Sequence, residues 1–298
     1  MASLAKYGYL KASASIIRLG FRYSGSTPQP KPDEVLEIPS RDENRSIKTH
    51  VYNPAKNSTS RSTPVVVNFH GSGWILPAHG ENDHYCRTIT QNTDYKVLDV
   101  SYRLAPETPF PGAQNDCEDV LNYILANPDL YDSNRIVLSG FSAGGHTALV
   151  LASSVFPAKT FSKIILFYPP IDLTIVPSSR PSPDPDMGPL VPPKLLDLLQ
   201  ACYLQDASLD KKDHRISPAF APLDGLPNEI AIFTAGADSL MPEVEVFVER
   251  LRTESDLSLT YRRFEKCSHA FDVSPKSGSV AEKAQKEAYS IVVTMLQR

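Results

Sequence analysis

Ile136-Val137-Leu138-Ser139-Gly140-Phe141-Ser142-Ala143-Gly144 decides the fold of this chain. It opens on a short apolar, β-branched run, which reads as a buried strand, and Ala143 to Ser154 reads as a helix. Between them sits a G-x-S-x-G pentapeptide, so the chain must reverse from strand to helix within a few residues. A serine at such an elbow is held in a strained backbone conformation, with its side-chain oxygen projected beyond the strand end. The helix N-terminus behind it favours developing negative charge. A bare G-x-S-x-G reads equally well as a surface turn. Flanked by strand and helix, Ser142 reads as a nucleophile.

Working outward, Val65–Phe69, Lys96–Val100, Ile164–Phe167, Ile230–Phe233 and Leu257–Phe264 are further short apolar or β-branched runs. Helical patterns cover Ala113–Ala126, Pro242–Thr253 and Val280–Leu296. Alternating strands and helices predict an α/β chain with a mainly parallel sheet and helices on both faces. Ligands of such sheets sit at the carboxyl ends of the strands. His70, Ser142, Asp238 and His269 each fall just past a strand end. Between Asp172 and Pro227 the alternation lapses, Pro177 to Pro193 carries seven prolines, and Pro193–Tyr203 has helical periodicity. An inserted lid is expected there. Tyr7, Leu10, Ile16, Ile17 and Leu19 predict an N-terminal amphipathic helix, expected over the mouth of the site, and Ser24–Pro39 reads as a connector. The expected organisation is an N-terminal cap segment over 1–40, core over 41–171 and 227–298, and a lid over 172–226.

The loop His70-Gly71-Ser72-Gly73-Trp74 follows a strand and is the natural oxyanion loop, because small residues let successive N–H groups turn towards a carbonyl oxygen. The expected donors are Ser72, Gly73 and, from the elbow, Ala143, each typically worth ~3 kcal/mol in the transition state. His70 is expected to orient the loop through its ring, and Gly71 and Trp74 to line the substrate pocket. For the base, His269 lies in a loop before the last helix. His50, His79, His84, His146 and His214 sit in less suitable places. For the acid, Asp238 follows a buried strand, with Asp224 and Asp272 as alternatives. Ser142 then attacks an acyl carbon, His269 takes and returns the proton, and Asp238 fixes the tautomer.

Composition sets the outer limits. The 298 residues are 41% hydrophobic and 21% charged, with a net charge of -4 and no basic block, which argues against nucleic acid as a partner. Cys86, Cys117, Cys202 and Cys267 show neither a CxxC pairing nor metal-ligand spacing, so reduced, buried thiols are expected and no metal. Lys6, Lys11 and Arg18 interrupt what would be the apolar core of a secretory signal. No window approaches the ~20 apolar residues of a membrane span. A soluble, cytoplasmic protein without stable membrane insertion is expected, and a homodimer is left open.

Together with Tyr102-Arg103-Leu104-Ala105-Pro106-Glu107, these motifs resemble the hormone-sensitive-lipase-like branch of the α/β-hydrolases. HGxGW, YRLAPE, GFSAG, a GxDxL acid and a late SHAF occur in the family order, from about Val65 onward. The resemblance implies an α/β-hydrolase fold with a helical cap, and a serine carboxylesterase acting without a cofactor on small-molecule esters of short to medium chain. Relatives resembling plant hormone receptors lack a working histidine, whereas His269 is present here. Ser72 departs from the usual His-Gly-Gly-Gly, and its hydroxyl is expected to narrow the loop and reach the acyl or leaving group. The alternative outcome of the same chemistry is a biosynthetic tailoring hydrolase, acyltransferase or lactonase acting on one metabolite.

Overall fold

The computed structural model describes residues 4–23, 28–55, 62–181, 184 and 192–298. Its eight strands are β1 (Glu34–Pro39), β2 (Ser46–Tyr52), β3 (Thr63–Phe69), β4 (Lys96–Val100), β5 (Tyr131–Phe141), β6 (Lys163–Phe167), β7 (Glu229–Ala235) and β8 (Ser258–Phe264). They form one sheet in the order β1-β2-β4-β3-β5-β6-β7-β8. From β4 to β8 every pairing is parallel, whereas β1–β2 and β2–β4 are antiparallel. The central strands are apolar throughout because both sides are covered. Every residue of β6 is buried, as are six of the seven in β3.

The helices are α1 (Leu4–Tyr23), α2 (Asp83–Asn92), α3 (Gly112–Leu125), α4 (Ala143–Val150), α5 (Pro193–Tyr203), α6 (Met241–Glu254) and α7 (Val280–Leu296). On one face of the sheet α3, α4 and α6 contribute Val120, Leu149 and Phe247 to the core. On the other, α2 and α7 contribute Tyr85, Ile89 and Val292. This is the α/β hydrolase architecture. All four cysteines are free and buried. No described helix is long and apolar enough to cross a membrane.

Three local expectations change. The segment read as a connector through Pro39 enters the sheet from Glu34 as edge strand β1, where Ile38 is its one fully buried side chain. The helix read through Ser154 is α-helical only to Val150 and finishes as a wider π turn over Leu151–Val155. On α1, Leu10 and Ala14 are buried and Ile17 packs beside them, while Ile16 and Leu19 are 71% and 53% exposed. The inner stripe of α1 therefore runs through Leu10, Ala14 and Ile17, at i, i+4 and i+7. That stripe meets Cys202 of α5, and Ile75 and Ala105 of the loops beneath. Much of the proline-rich run from Pro177 to Pro193 lies outside the described residues.

Candidate active site

β5 delivers Phe141 in the sheet and α4 begins at Ala143, so Ser142 alone makes the reversal. It does so at φ 49°, ψ -120°, in the region that side-chain-bearing residues rarely occupy. The Ser142 N–H donates to the Phe167 carbonyl at 2.9 Å and its own carbonyl accepts from the His146 N–H at 2.9 Å, which holds the strained residue in place. The turn is tight enough that a Cβ on Gly144 would lie 2.0 Å from the Phe69 carbonyl oxygen. Glycine is required there for α4 to come down onto the end of β3.

His269 Nε2 lies 2.9 Å from Ser142 Oγ, and its Nδ1 lies 2.7 Å from Asp238 Oδ2. Asp238 is buried, and its other oxygen accepts the Leu240 N–H at 3.0 Å. Three residues separated by up to 127 positions thus form one hydrogen-bonded chain. Burial works against charge on His269, but Asp238, through its charge and hydrogen bond, and Asp272, through its charge, outweigh it and hold the imidazole above its ordinary value.

None of the alternatives joins this hydrogen-bonded chain. Asp224 is exposed ahead of β7. Asp272 is buried beside the site but spends its oxygens on the Tyr168 and Tyr289 hydroxyls, and burial raises its carboxyl above the usual carboxylate range. His146 is buried in α4 with Nε2 2.9 Å from the Ile216 carbonyl, and burial pushes its ring down to about 4. His84 and His214 are exposed. His50 and His79 stack on each other, with ring centroids 3.9 Å apart, and neither hydrogen-bonds to Ser142.

The HGSGW loop curls over Ser142 from the end of β3. His70 is buried, stacks on Tyr102 with centroids 4.4 Å apart, and has Nδ1 2.9 Å from the Gly71 carbonyl. Tyr102 OH in turn donates to the His70 carbonyl at 2.5 Å. The N–H groups of Ser72, Gly73 and Ala143 have no hydrogen-bond acceptor among the described residues. Gly73 sits at φ +52°, and a Cβ there would lie 2.8 Å from Leu199 Cδ1 on α5. The Ser72 hydroxyl, expected to meet an acyl or leaving group, has partners of its own inside the protein. It lies 2.9 Å from Tyr102 OH and accepts the Trp74 N–H at 2.9 Å, so it braces the loop from within. Trp74 stacks on Tyr203 with centroids 4.5 Å apart.

Ser142, Asp238, His269 and the loop residues Gly71, Ser72, Gly73 and Trp74 line one cavity of about 440 Å³. Its walls are mostly apolar, with Phe21 from α1, Leu196 and Leu199 from α5, and Leu76 and Leu173 from the loops. Two polar side chains there escaped the sequence reading. Arg180 is paired with Glu243, Nε to Oε2 at 2.9 Å, with both side chains nearly buried. Glu81 faces Gly71, and burial first, then Asp272 and Asp99, push its carboxyl up to about 8. Neither sits in a recognisable motif, and only the folded loops bring them to the cavity.

Comparison with known proteins agrees with this architecture. Residues 66–273 match the family described as alpha/beta hydrolase fold. The carboxylic ester hydrolase LipN of Mycobacterium tuberculosis is 31% identical over 234 residues, which are 74% of this chain and 57% of LipN. The chain thus spans little more than half the length of that relative. Hormone-sensitive lipase of Ictidomys tridecemlineatus is 30% identical over 168 residues, 54% of this chain and 21% of that protein. Among solved structures, an esterase of Pyrobaculum calidifontis superposes with a TM-score of 0.80 at 26% identity, covering 100% of this chain and 98% of that one. With its eight-stranded sheet, its serine elbow and a family match over residues 66–273, the chain belongs to the α/β hydrolase fold family.

Proposed function

We propose that the chain is a serine carboxylic ester hydrolase for small-molecule esters of short to medium acyl length. The observation that carries this reading is the hydrogen-bonded chain from Asp238 Oδ2 through His269 to Ser142 Oγ, opening into an apolar cavity. Ser142 Oγ attacks the ester carbon as His269 Nε2 takes its proton. Asp238 keeps the other ring proton on Nδ1 and steadies the imidazolium. The oxyanion moves into the space before the N–H groups of Ser72, Gly73 and Ala143, each contributing ~3 kcal/mol to the transition state. His269 then protonates the departing alkoxide, the alcohol leaves, and a water activated by the same imidazole releases the acid.

A cavity of about 440 Å³ sits at the small end of the range for small-molecule sites. That volume favours short and medium acyl groups over long ones. In this reading α1 and α5 act as a cap, residues 1–40 and 172–226 supplying its segments, because Phe21 of α1 and Leu196 and Leu199 of α5 line the same cavity as the serine.

Initial rates on nitrophenyl acetate, butyrate, octanoate and palmitate, with Ser142→Ala as control, test the proposal. Turnover that depends on Ser142 and declines from butyrate to palmitate is expected. Labelling of Ser142 by a fluorophosphonate with almost no turnover on any of them would transfer the reading to a dedicated tailoring enzyme.

A further inference from the structure

A row of polar side chains crosses the sheet on the face covered by α2 and α7, apart from the ester-binding cavity. His50 on β2, Asp99 on β4, Asn68 on β3 and Ser139 on β5 occupy matching register positions. Their neighbours two residues away, Tyr52, Val97, Val66 and Val137, belong to the apolar core of that face. At one end Ser139 is satisfied, its hydroxyl lying 2.8 Å from Tyr85 OH. At the other end the pairing is incomplete. Among the described residues His50 Nδ1 and Asp99 Oδ2 have no hydrogen-bond partner, although His50 is only 4% exposed and Asp99 is fully buried. Leaving such groups unpaired is costly, and a natural core does so only where something else satisfies them.

The loop after β3 brings His79 against this end. Its ring stacks on His50, and its Nε2 lies 3.4 Å from Asp99 Oδ2. One nitrogen from each imidazole and one Asp99 oxygen all lie within 4.8 Å of one another. Asn68 Nδ2 donates to Asp99 Oδ1 at 2.8 Å, which fixes the carboxylate and leaves Oδ2 unbonded.

We propose that His50, His79 and Asp99 form a binding site for a divalent cation of the zinc class, which clasps the His79 loop to β2 and β4. Two imidazole nitrogens and one carboxylate oxygen suit a borderline-soft ion, with a water completing its coordination. Calcium and magnesium call for more oxygen ligands than this cluster offers. Bond lengths of about 2.0–2.2 Å put donor atoms on a shared tetrahedral ion roughly 3.4 Å apart, so the donors close by at most a little over an ångström. His79, carried by a loop, is the ligand free to make that move. Its Nε2 now lies 3.0 Å from the Asp99 carbonyl oxygen, and ligation through that nitrogen exchanges this hydrogen bond for the metal bond, with the ring proton on Nδ1. The role is structural. None of the three ligands lines the cavity, but the His79 ring lies 5.7 Å from that of His70, so the ion sits behind the HGSGW loop.

To test this, the chelator-stripped 298-residue chain is incubated with zinc chloride and freed of excess by gel filtration. Retained zinc is then measured by mass spectrometry, and thermal unfolding is followed with and without zinc. About one zinc per chain and a higher unfolding midpoint are expected. Both effects should be lost in His50→Ala and in His79→Ala. The second is a loop substitution whose folding is checked by circular dichroism. Ser142→Ala should retain the ion like the parent. Absence of zinc from the folded parent chain would overturn the proposal. So would undiminished zinc in both histidine variants, or loss of zinc in Ser142→Ala, which would place the ion elsewhere.

Discussion

The Tyr289 hydroxyl donates to Asp272 Oδ2 at 2.9 Å, anchoring a second buried carboxyl beside His269 without a hydrogen bond between them. Tyr168 takes the other Asp272 oxygen and rests its own ring 4.7 Å from that of His269. The two carboxyls near the imidazole therefore differ in kind. Asp238 holds a ring proton, whereas Asp272 contributes charge and buttresses the ring through Tyr168. Asp238→Asn should lower kcat by about 10⁴-fold through the wrong histidine tautomer. Asp272→Asn should lower the unfolding midpoint and change kcat far less. A larger kcat loss in Asp272→Asn would reverse the assignment.

The pH profile follows from the same pair. Burial opposes charge on His269, but Asp238 and Asp272 outweigh it, so the imidazole titrates above its ordinary 6.5. The base must be neutral to accept the Ser142 proton, so kcat/KM should rise with pH through an inflection above 6.5. Asp238→Asn should move that inflection downward. For stability the sign is opposite. A raised folded-state value means that the His269 contribution is complete below 6.5 and lost as pH rises through the folded value. A rate profile and an unfolding series over the same pH range would check both directions.

Gly73 is the point where loop and roof meet. Its φ of +52° disfavours any side chain, and a Cβ there would stand 2.8 Å from Leu199 Cδ1. Gly73→Ala should therefore displace an oxyanion donor and reduce kcat by about 10²-fold or more. Adding Leu199→Ala removes the clash but not the backbone strain, so recovery should be partial. Full recovery in the double variant would show that the contact alone matters.

Arg180 and Glu243 form an ion pair with side chains only 6% and 5% exposed. Glu243 also accepts the Ile171 N–H at 2.8 Å, and burial raises its carboxyl above the usual range despite Arg180. Arg180→Ala leaves that carboxyl buried without its partner and should cost about 3–5 kcal/mol of stability. Arg180→Met with Glu243→Gln should cost less, because no unpaired charge remains. Denaturant unfolding of the two variants would separate the cost of an orphaned charge from that of lost packing.

The central sheet was readable because parallel strands covered on both faces leave continuous apolar runs, such as Val65–Phe69 and Ile164–Phe167. Ser142, His269 and Asp238 were locatable for a related reason. Each follows one of those runs, and strand ends of a parallel sheet gather on one side. The edges were harder. β1 carries Glu34, Glu37 and Pro39 on an exposed border, where burial leaves little pattern to read. α2 is absent from the helical patterns read in the sequence, which leave His84 in a loop, yet its Tyr85, Cys86 and Ile89 pack inward against the sheet and α7. The inward turn of the Ser72 hydroxyl depends on Tyr102, thirty residues away, and no local signal encodes it.

The contact between Leu199 and Gly73 has a bearing on discrimination between substrates. Leu196 and Leu199 of α5 line the cavity and Leu199 packs at Gly73, so under the proposed function an acyl chain too bulky for the cavity would press on the same side chain that meets the proposed oxyanion glycine. A poor fit then disturbs the reaction itself as well as the holding of the substrate. Selectivity against large esters should accordingly appear in kcat as much as in KM, with the roof acting as a gauge wired to the chemistry below it.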